Sequence, residues 1–397
     1  MAKPSLTGSI FLIAGSCIGA GMLGLPIVSG QSGFVPSTIS FVIAWAFMLI
    51  AGLLFLEVNL RFGSHISFIS MAEKTLGPIG KAICWIFFLF LFYALTVAYI
   101  SGTSSLLVSF FEKEAGLKLS NTFLSVVFTV LFACVIYLGT KEVVSFNRYL
   151  VLGLFVFFVL LIVFSVTHVQ AKNLSYMKWE KSVFALPVMM IAFGFHNMIP
   201  SLVDYFKGSR KKMIITLVAG SLLAFGIYFV WQFVVLGIVP VEGKFGILDN
   251  IKNDREGAQA IIYILQNKWI GIFSWGLGFF ALTTSFLAQG LSLVDFYADG
   301  LKINKRQGKN SLALVLLALF PPLVFAIVYP NIFLKALGFG GGICAMILFG
   351  ILPPLMCLKS RQQKKDYQVF GGKGLLFLMM LFALFVIIIE LFTELTR

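Results

Sequence analysis

The stretch Gly15–Pro26, G-S-C-I-G-A-G-M-L-G-L-P, sits inside an apolar run long enough to cross a membrane, yet it makes a poor helix interior. Gly15, Gly19, Gly21 and Gly24 each weaken a helix, and Pro26 has no amide hydrogen to donate. In lipid such a break is tolerated only where protein buries it or where it lines a cavity. A second break stands at Gly194–Pro200, G-F-H-N-M-I-P. Two interrupted spans in corresponding places of two halves are the sequence mark of a transporter's binding site.

The composition agrees with a membrane protein. The 397 residues are 59% hydrophobic and 12% charged, about half the charge of a soluble chain, and the mean hydropathy is +0.99. Uncharged windows of 30, 29 and 26 residues follow Lys81, Lys212 and Lys268, and each exceeds the roughly 20 residues that a helix needs to span. The window from Lys3 to Glu57 holds 53 residues, enough for two spans. The net charge of +14 sits in short linkers between apolar runs, which excludes a nucleic-acid partner and fits membrane topology. The five cysteines form no metal spacing and no C-x-x-C, so they read as small apolar residues. With a single Lys3 as its basic head and a Gly-rich core running into further apolar sequence, the first stretch does not read as a cleavable signal.

Eleven spans are expected, near 7–29, 34–57, 82–109, 121–139, 149–168, 183–204, 213–237, 270–295, 310–328, 333–356 and 374–393. A start after Gly338–Gly342 is an alternative for the tenth. Counting Lys and Arg, 19 of 30 fall on the cytoplasmic side if the N-terminus lies there, which orients the chain N-in. Residues 61–81 are expected to hold a short interfacial helix. A short amphipathic helix at 258–266 is either a gate or a packed loop. Breaks in spans 1 and 6 and an odd number of spans per half predict an all-α polytopic fold built from a five-plus-five inverted repeat. Residues 1–168 form the first repeat, 169–356 the second, and 357–397 a cytoplasmic linker with helix 11.

At a break one half-helix ends and another begins, leaving backbone groups without intrahelical partners. Amides at a helix start favour a carboxylate, and carbonyls at a helix end favour an ammonium or a cation. A zwitterionic amino acid fits both ends without any charged side chain, and spans 1, 3 and 6 carry no Asp or Glu in their middles. The substrate-binding candidates are Gly15, Cys17, Ile18, Gly19 and Gly21 on span 1, and Phe193, Gly194, Phe195 and Asn197 on span 6. Tyr93 and Thr96 on span 3 and Phe280 and Thr283 on span 8 complete them; the aromatic rings suit an aromatic ligand. His196, mid-membrane at the second break, is the ionisable candidate for proton coupling or substrate contact, or else for a structural hydrogen bond. Thr284 and Ser285 with carbonyls near Ala14–Cys17 make an alternative oxygen-only Na⁺ site. No metal, cofactor or catalytic cluster is expected, because His196 stands without Asp, Glu or Cys at its depth; this argues against an enzyme. Two inverted breaks rather than rings of charge argue against a channel.

These residues resemble a family. G-S-I-F-L-I-A-G-S-C-I-G-A-G-M-L-G-L-P at 8–26, L-E-V at 56–58, F-Y-A-L-T-V-A-Y-I-S-G at 92–102 and F-N-R at 146–148 carry the likeness through the first half. F-G-F-H-N-M-I-P-S at 193–201, T-S-F-L at 284–287, D-x-x-A-D at 295–299, F-P-P-L at 320–323 and G-G at 371–372 carry it through the second. The chain resembles the bacterial hydroxy- and aromatic-amino-acid permeases of the amino acid–polyamine–cation superfamily. The resemblance implies a multi-pass inner-membrane symporter that uses the proton gradient to import tyrosine or related aromatic amino acids; the chain itself is expected to work as a monomer. It also implies a site between spans 1, 3, 6, 8 and 10. Asn197 departs from the small residue that follows the histidine in that pattern, which widens the expected range to tryptophan or phenylalanine.

Overall fold

The computed structural model describes residues 5–63, 66–301, 303, 308–361 and 367–396. Lys3, His65, Lys302, Lys305, Arg306, Lys364 and Lys365, which entered the charge and histidine readings, lie outside the described residues. The first half runs α1 (Leu6–Cys17), α2 (Ala20–Gly30), α3 (Phe34–Phe62), α4 (Phe68–Glu114), α5 (Asn121–Leu138) and α6 (Thr140–Ser165). A short α7 (Ala171–Leu174) and a 3₁₀ stretch (Trp179–Ala185) lead to α8 (Leu186–Ala192), a 3₁₀ turn (His196–Met198) and α9 (Ile199–Tyr205). Then come α10 (Arg210–Ile238), α11 (Ile247–Lys252), α12 (Gly257–Leu265), α13 (Lys268–Gly300) and α14 (Lys309–Val328). The tenth span joins α15 (Phe333–Phe339), a π-helical segment (Gly340–Ile351) and α16 (Leu352–Ser360), and α17 (Gly372–Thr396) follows.

Among the described residues, ten helices or helix runs are long and apolar enough to cross a membrane, and α1 with α2 makes an eleventh as a pair bent by 54°. The protein is therefore an all-helical polytopic membrane protein. In such a chain burial inside the bundle, not hydropathy, tells the centre from the rim. The spans built on α13 and on α15–α16 are 72% buried and that of α8–α9 is 67% buried, whereas α6 and α17 reach only 22% and 28%. The centre is thus made of spans 6, 8 and 10, and the most apolar helices face lipid.

Three local features set the boundaries here, and one of them, the start of the fifth span, departs from the sequence expectation. The interfacial helix expected within 61–81 is the first two turns of α4. Gly77, at φ 77° and followed by Pro78, kinks it away from the membrane-spanning part. The fifth span starts at Thr140 rather than 149, because Gly139 at φ 116° turns the chain sharply and helix resumes at once through the charged Lys141–Arg148 stretch. The tenth span is not delayed by Gly338–Gly342. Those glycines lie inside it, and Gly341 packs against the Pro187 carbonyl so closely that a Cβ would have no room.

Candidate functional site

Both breaks are visible as helix ends. α1 stops at Cys17, Ile18 is extended (φ −71°, ψ 109°), and α2 starts at Ala20 with Gly19 as an N-cap that has no side chain to offer its first amides. α8 stops at Ala192, and Phe193–Phe195 carry the chain to the 3₁₀ turn at His196. The two breaks touch. A Cβ on Gly21 would lie 3.2 Å from the Cα of Ala192, and one on Gly19 would displace the Ser285 hydroxyl of α13.

Tyr228 of α10 holds this junction. Its hydroxyl, fully buried, donates to the Cys17 carbonyl at 2.5 Å and to the Ala192 carbonyl at 2.9 Å, so one proton serves the last turn of both half-helices. One turn on, Trp231 donates its indole N–H to the Met22 carbonyl at 2.9 Å. Removing a buried donor leaves its acceptors unsatisfied, at about 1–3 kcal/mol. Tyr228→Phe is therefore expected to lower uptake kcat/KM about tenfold and to lower the thermal midpoint in detergent. Wild-type values for both would show that the bracket is idle.

At the junction lies a cavity of about 90 Å³, lined by Ser16, Cys17, Gly19, Gly21, Phe88, Leu91, Phe92, Leu95, Tyr99, Ile191, Gly194, Asn197, Ser285, Gln289 and Phe349. That volume holds roughly three waters and falls below the roughly 300 Å³ at which ligand pockets begin. An amino acid needs the aromatic walls to part. Among the described residues the lining carries no ionised side chain.

Six of the candidates read from sequence meet here: Cys17, Gly19, Gly21, Gly194, Asn197 and Ser285. The others sit elsewhere. Gly15 is exposed with open space around it, and Ile18 is half-buried outside the lining. Phe193 packs on Phe41 and Tyr228. Phe280 packs on Phe157 and against Gly153. Tyr93 bonds to Tyr297 and donates to the Leu317 carbonyl at 2.9 Å, which turns it toward α13 and α14. Thr96 and Thr284 bond back to the carbonyls of Phe92 and Ala281, and Thr283 is buried without a partner. His196 is fully buried, its ring stacked between Phe195 at 4.8 Å and Phe349 at 4.4 Å, so Phe349 stands between it and the cavity. Neither ring nitrogen has a well-aligned hydrogen bond.

The wall that sequence reading missed is one helix face. Phe88, Leu91, Phe92, Leu95 and Tyr99 recur at i, i+3, i+4, i+7 and i+11 along α4. The candidates Tyr93 and Thr96 lie on a neighbouring face of the same helix. Gln289 stands four residues after Ser285, on the same face of α13, a spacing that could have found it.

One end of the junction is sealed. α12 lies across α2, α10 and α13, with Gly257 against the Leu23 carbonyl and the Trp231 ring. Asp254, before α12, accepts from the amides of Phe333 at 2.6 Å and Leu334 at 2.8 Å and so ties this segment to the start of α15. Glu256 caps α12, its buried carboxylate accepting from Ala258 at 2.6 Å and Gln259 at 2.9 Å. Burial outweighs those two bonds and pushes its carboxyl up to about 7 from an ordinary 4.5. A carboxyl raised on packing stabilises the packed form fully below about 4.5, and that stabilisation is lost as pH rises through about 7. Hydrogen exchange of the 257–265 amides, corrected for intrinsic rate, should therefore be slower at pH 5.5 than at 8, and Glu256→Gln should remove the difference. At the other end, Asn197 and Gly15 are exposed, and α1 packs chiefly on α10.

Known proteins match this sequence over nearly its whole length. The family model for the tryptophan/tyrosine permease family matches residues 2–390. A tryptophan-specific transport protein of Shigella flexneri is 31% identical over 96% of this chain and 93% of its own. The tyrosine-specific transport system 1 of Haemophilus influenzae is 32% identical over 92% of this chain and 91% of its own. A tryptophan-specific transport protein of Haemophilus influenzae is 30% identical over 98% and 96%. The match runs through both breaks of this chain, the relatives are named as transport proteins rather than enzymes, and the chain belongs to the tryptophan/tyrosine permease family.

Proposed function

We propose that this protein is a secondary active transporter that imports aromatic amino acids, tyrosine foremost with tryptophan and phenylalanine in range, by proton symport. The observation that carries the reading is the cavity between two helix breaks, walled by aromatic rings and free of ionised side chains. The uncapped amides from Gly19 to Gly21 receive the substrate carboxylate, and carbonyls near Phe193–Phe195 receive its ammonium. The ring lies along Phe88, Phe92 and Phe349. Family relatives named for tryptophan and tyrosine transport support the substrate class.

In this reading residues 1–168 and 169–356 are inverted repeats, helices 1 and 6 are unwound mid-membrane, and 357–397 add a linker and helix 11. The N-terminus is cytoplasmic, the membrane is the bacterial inner membrane, and the monomer is the working unit. The sealed end under α12 then faces outward, and the exposed Asn197 marks the inward path. Substrate closes the site, and spans 1, 2, 6 and 7 rock against the rest. His196 is the proton-coupling group. Ser285, beside Gly19 on the cavity wall, favours Na⁺ coupling through Thr284 and Ser285 as the second reading.

Uptake of labelled tyrosine into proteoliposomes, with proton and sodium gradients imposed separately, tests both. Proton-driven accumulation blocked by aromatic competitors, with a pH profile flattened by His196→Gln, is expected. Sodium-driven accumulation transfers coupling to Thr284 and Ser285, and competition by aliphatic amino acids sinks the aromatic site.

A further inference from the structure

Gln289 is the one carboxamide of α13 on the cavity wall, and its amide nitrogen is buried without a hydrogen-bond partner. A buried donor left unpaired costs about 1–3 kcal/mol, so its place needs a reason. Packing gives none. The facing wall, Phe88, Leu91, Phe92 and Leu95 of α4 with Phe349, offers no polar group. A leucine there would fill space at no such cost.

Its height in the site supplies the reason. Ser285 marks the level of the breaks, because its hydroxyl fills the space beside Gly19 and its neighbour across the cavity is Tyr99. Gln289 stands one turn further along α13, away from α12, about 6 Å along the axis at 1.5 Å per residue. A substrate whose carboxylate sits at Gly19–Gly21 has its side chain at that level, between α4 and α13. The far edge of its ring meets the carboxamide. A phenol hydroxyl both donates and accepts, so it satisfies the carboxamide whichever way the amide is turned. An unsubstituted phenyl ring does neither and leaves the donor unpaired.

Resting on the reading of the cavity as an aromatic amino acid site, we propose that Gln289 is the specificity residue that recognises the ring hydroxyl and selects tyrosine over phenylalanine. A site built to hydrogen-bond a substrate hydroxyl rejects the analogue that lacks it far more strongly than a pocket rejects a missing methylene. Gln289 touches only the ring's polar atom, so its removal changes the ratio between substrates rather than transport as such.

The test compares kcat/KM for tyrosine and phenylalanine in proteoliposomes made from wild-type protein, Gln289→Met and Gln289→Asn. The wild type is expected to favour tyrosine at least tenfold. Gln289→Met, close in shape but apolar, should lose tyrosine transport at least tenfold and keep or gain phenylalanine transport, bringing the ratio near one. Gln289→Asn, with a shorter amide, should fall between. A wild type that carries both equally overturns the proposal without any variant, as does a Gln289→Met protein whose ratio is unchanged. If the wild type carries aliphatic but not aromatic amino acids, the aromatic reading itself has failed, an outcome distinct from a lost preference between two aromatic substrates.

Discussion

Gly21→Val is expected to lower uptake at least a hundredfold while the protein still inserts and purifies. The added Cβ would stand 3.2 Å from the Cα, 3.4 Å from the Cβ and 3.5 Å from the amide nitrogen of Ala192. These are atoms of a helix end, fixed by the Tyr228 bond to the Ala192 carbonyl, and they cannot rotate away. Overfilling a packed contact costs about 1–3 kcal/mol, and a hundredfold in rate corresponds to about 2.7 kcal/mol. The whole cost falls on the spacing between the two breaks, where substrate would bind. Gly15→Val is the control. A Cβ at Gly15 meets nothing within 4 Å, so that variant should transport within a few-fold of wild type. Gly19→Ala should be intermediate, because the atom it displaces is a hydroxyl that can rotate. Normal uptake by Gly21→Val would show that the junction tolerates separation, and the backbone site would have to be abandoned.

The same glycines show what can be read from a sequence of this kind. All four in Gly15–Gly24 argue for a break, because helix propensity is local and glycine is poor everywhere in a helix. Their separate tasks depend on neighbours far along the chain. Gly19 makes room for Ser285, Gly21 for Ala192, Gly24 for leucines of α15, and Gly15 for nothing. Span number followed from charge-free windows, which are a property of the chain and the bilayer alone. Side-chain direction did not follow, because a membrane helix is apolar on every face and no hydrophobic stripe marks its inner one. So Tyr93 and Phe280 looked like site residues and turned out to pack between helices, while Phe88 and Phe349, two of 44 phenylalanines, could not be singled out. His196 stood out as an ionisable group at a break, yet its ring is enclosed by Phe195 and Phe349. Its two nitrogens without aligned partners keep a role open to the pH-profile test rather than to substrate contact.

Glu57→Gln is expected to destabilise the protein by about 3–5 kcal/mol, the cost of breaking a buried ion pair from one side. Near the end of α3, Glu57 is fully buried, and both of its oxygens are fully used. Oε1 accepts from Arg361 Nε at 2.8 Å and Arg61 Nη2 at 3.1 Å, and Oε2 accepts from Arg361 Nη2 at 2.7 Å and the Val369 amide at 2.8 Å. Arg61 also donates to the Ser360 carbonyl at 3.0 Å. One carboxylate thus joins span 2, the end of span 10 and the chain entering α17. A glutamine keeps the shape, but it turns an NH₂ toward a guanidinium and leaves two buried cations facing each other. In sequence Glu57 reads as an acid near a membrane boundary with Arg61 four residues on; its second cation, Arg361, is 304 residues away, beyond any local pattern. A double-mutant cycle with Arg361→Gln, read by denaturant titration in detergent, isolates the pair. The single variants should sum to more than the double, because the second substitution removes a cation that the first left unpaired. A coupling below about 1 kcal/mol, the worth of an exposed pair, would mean that water reaches this cluster and that span 2 is free to part from span 10 at little cost.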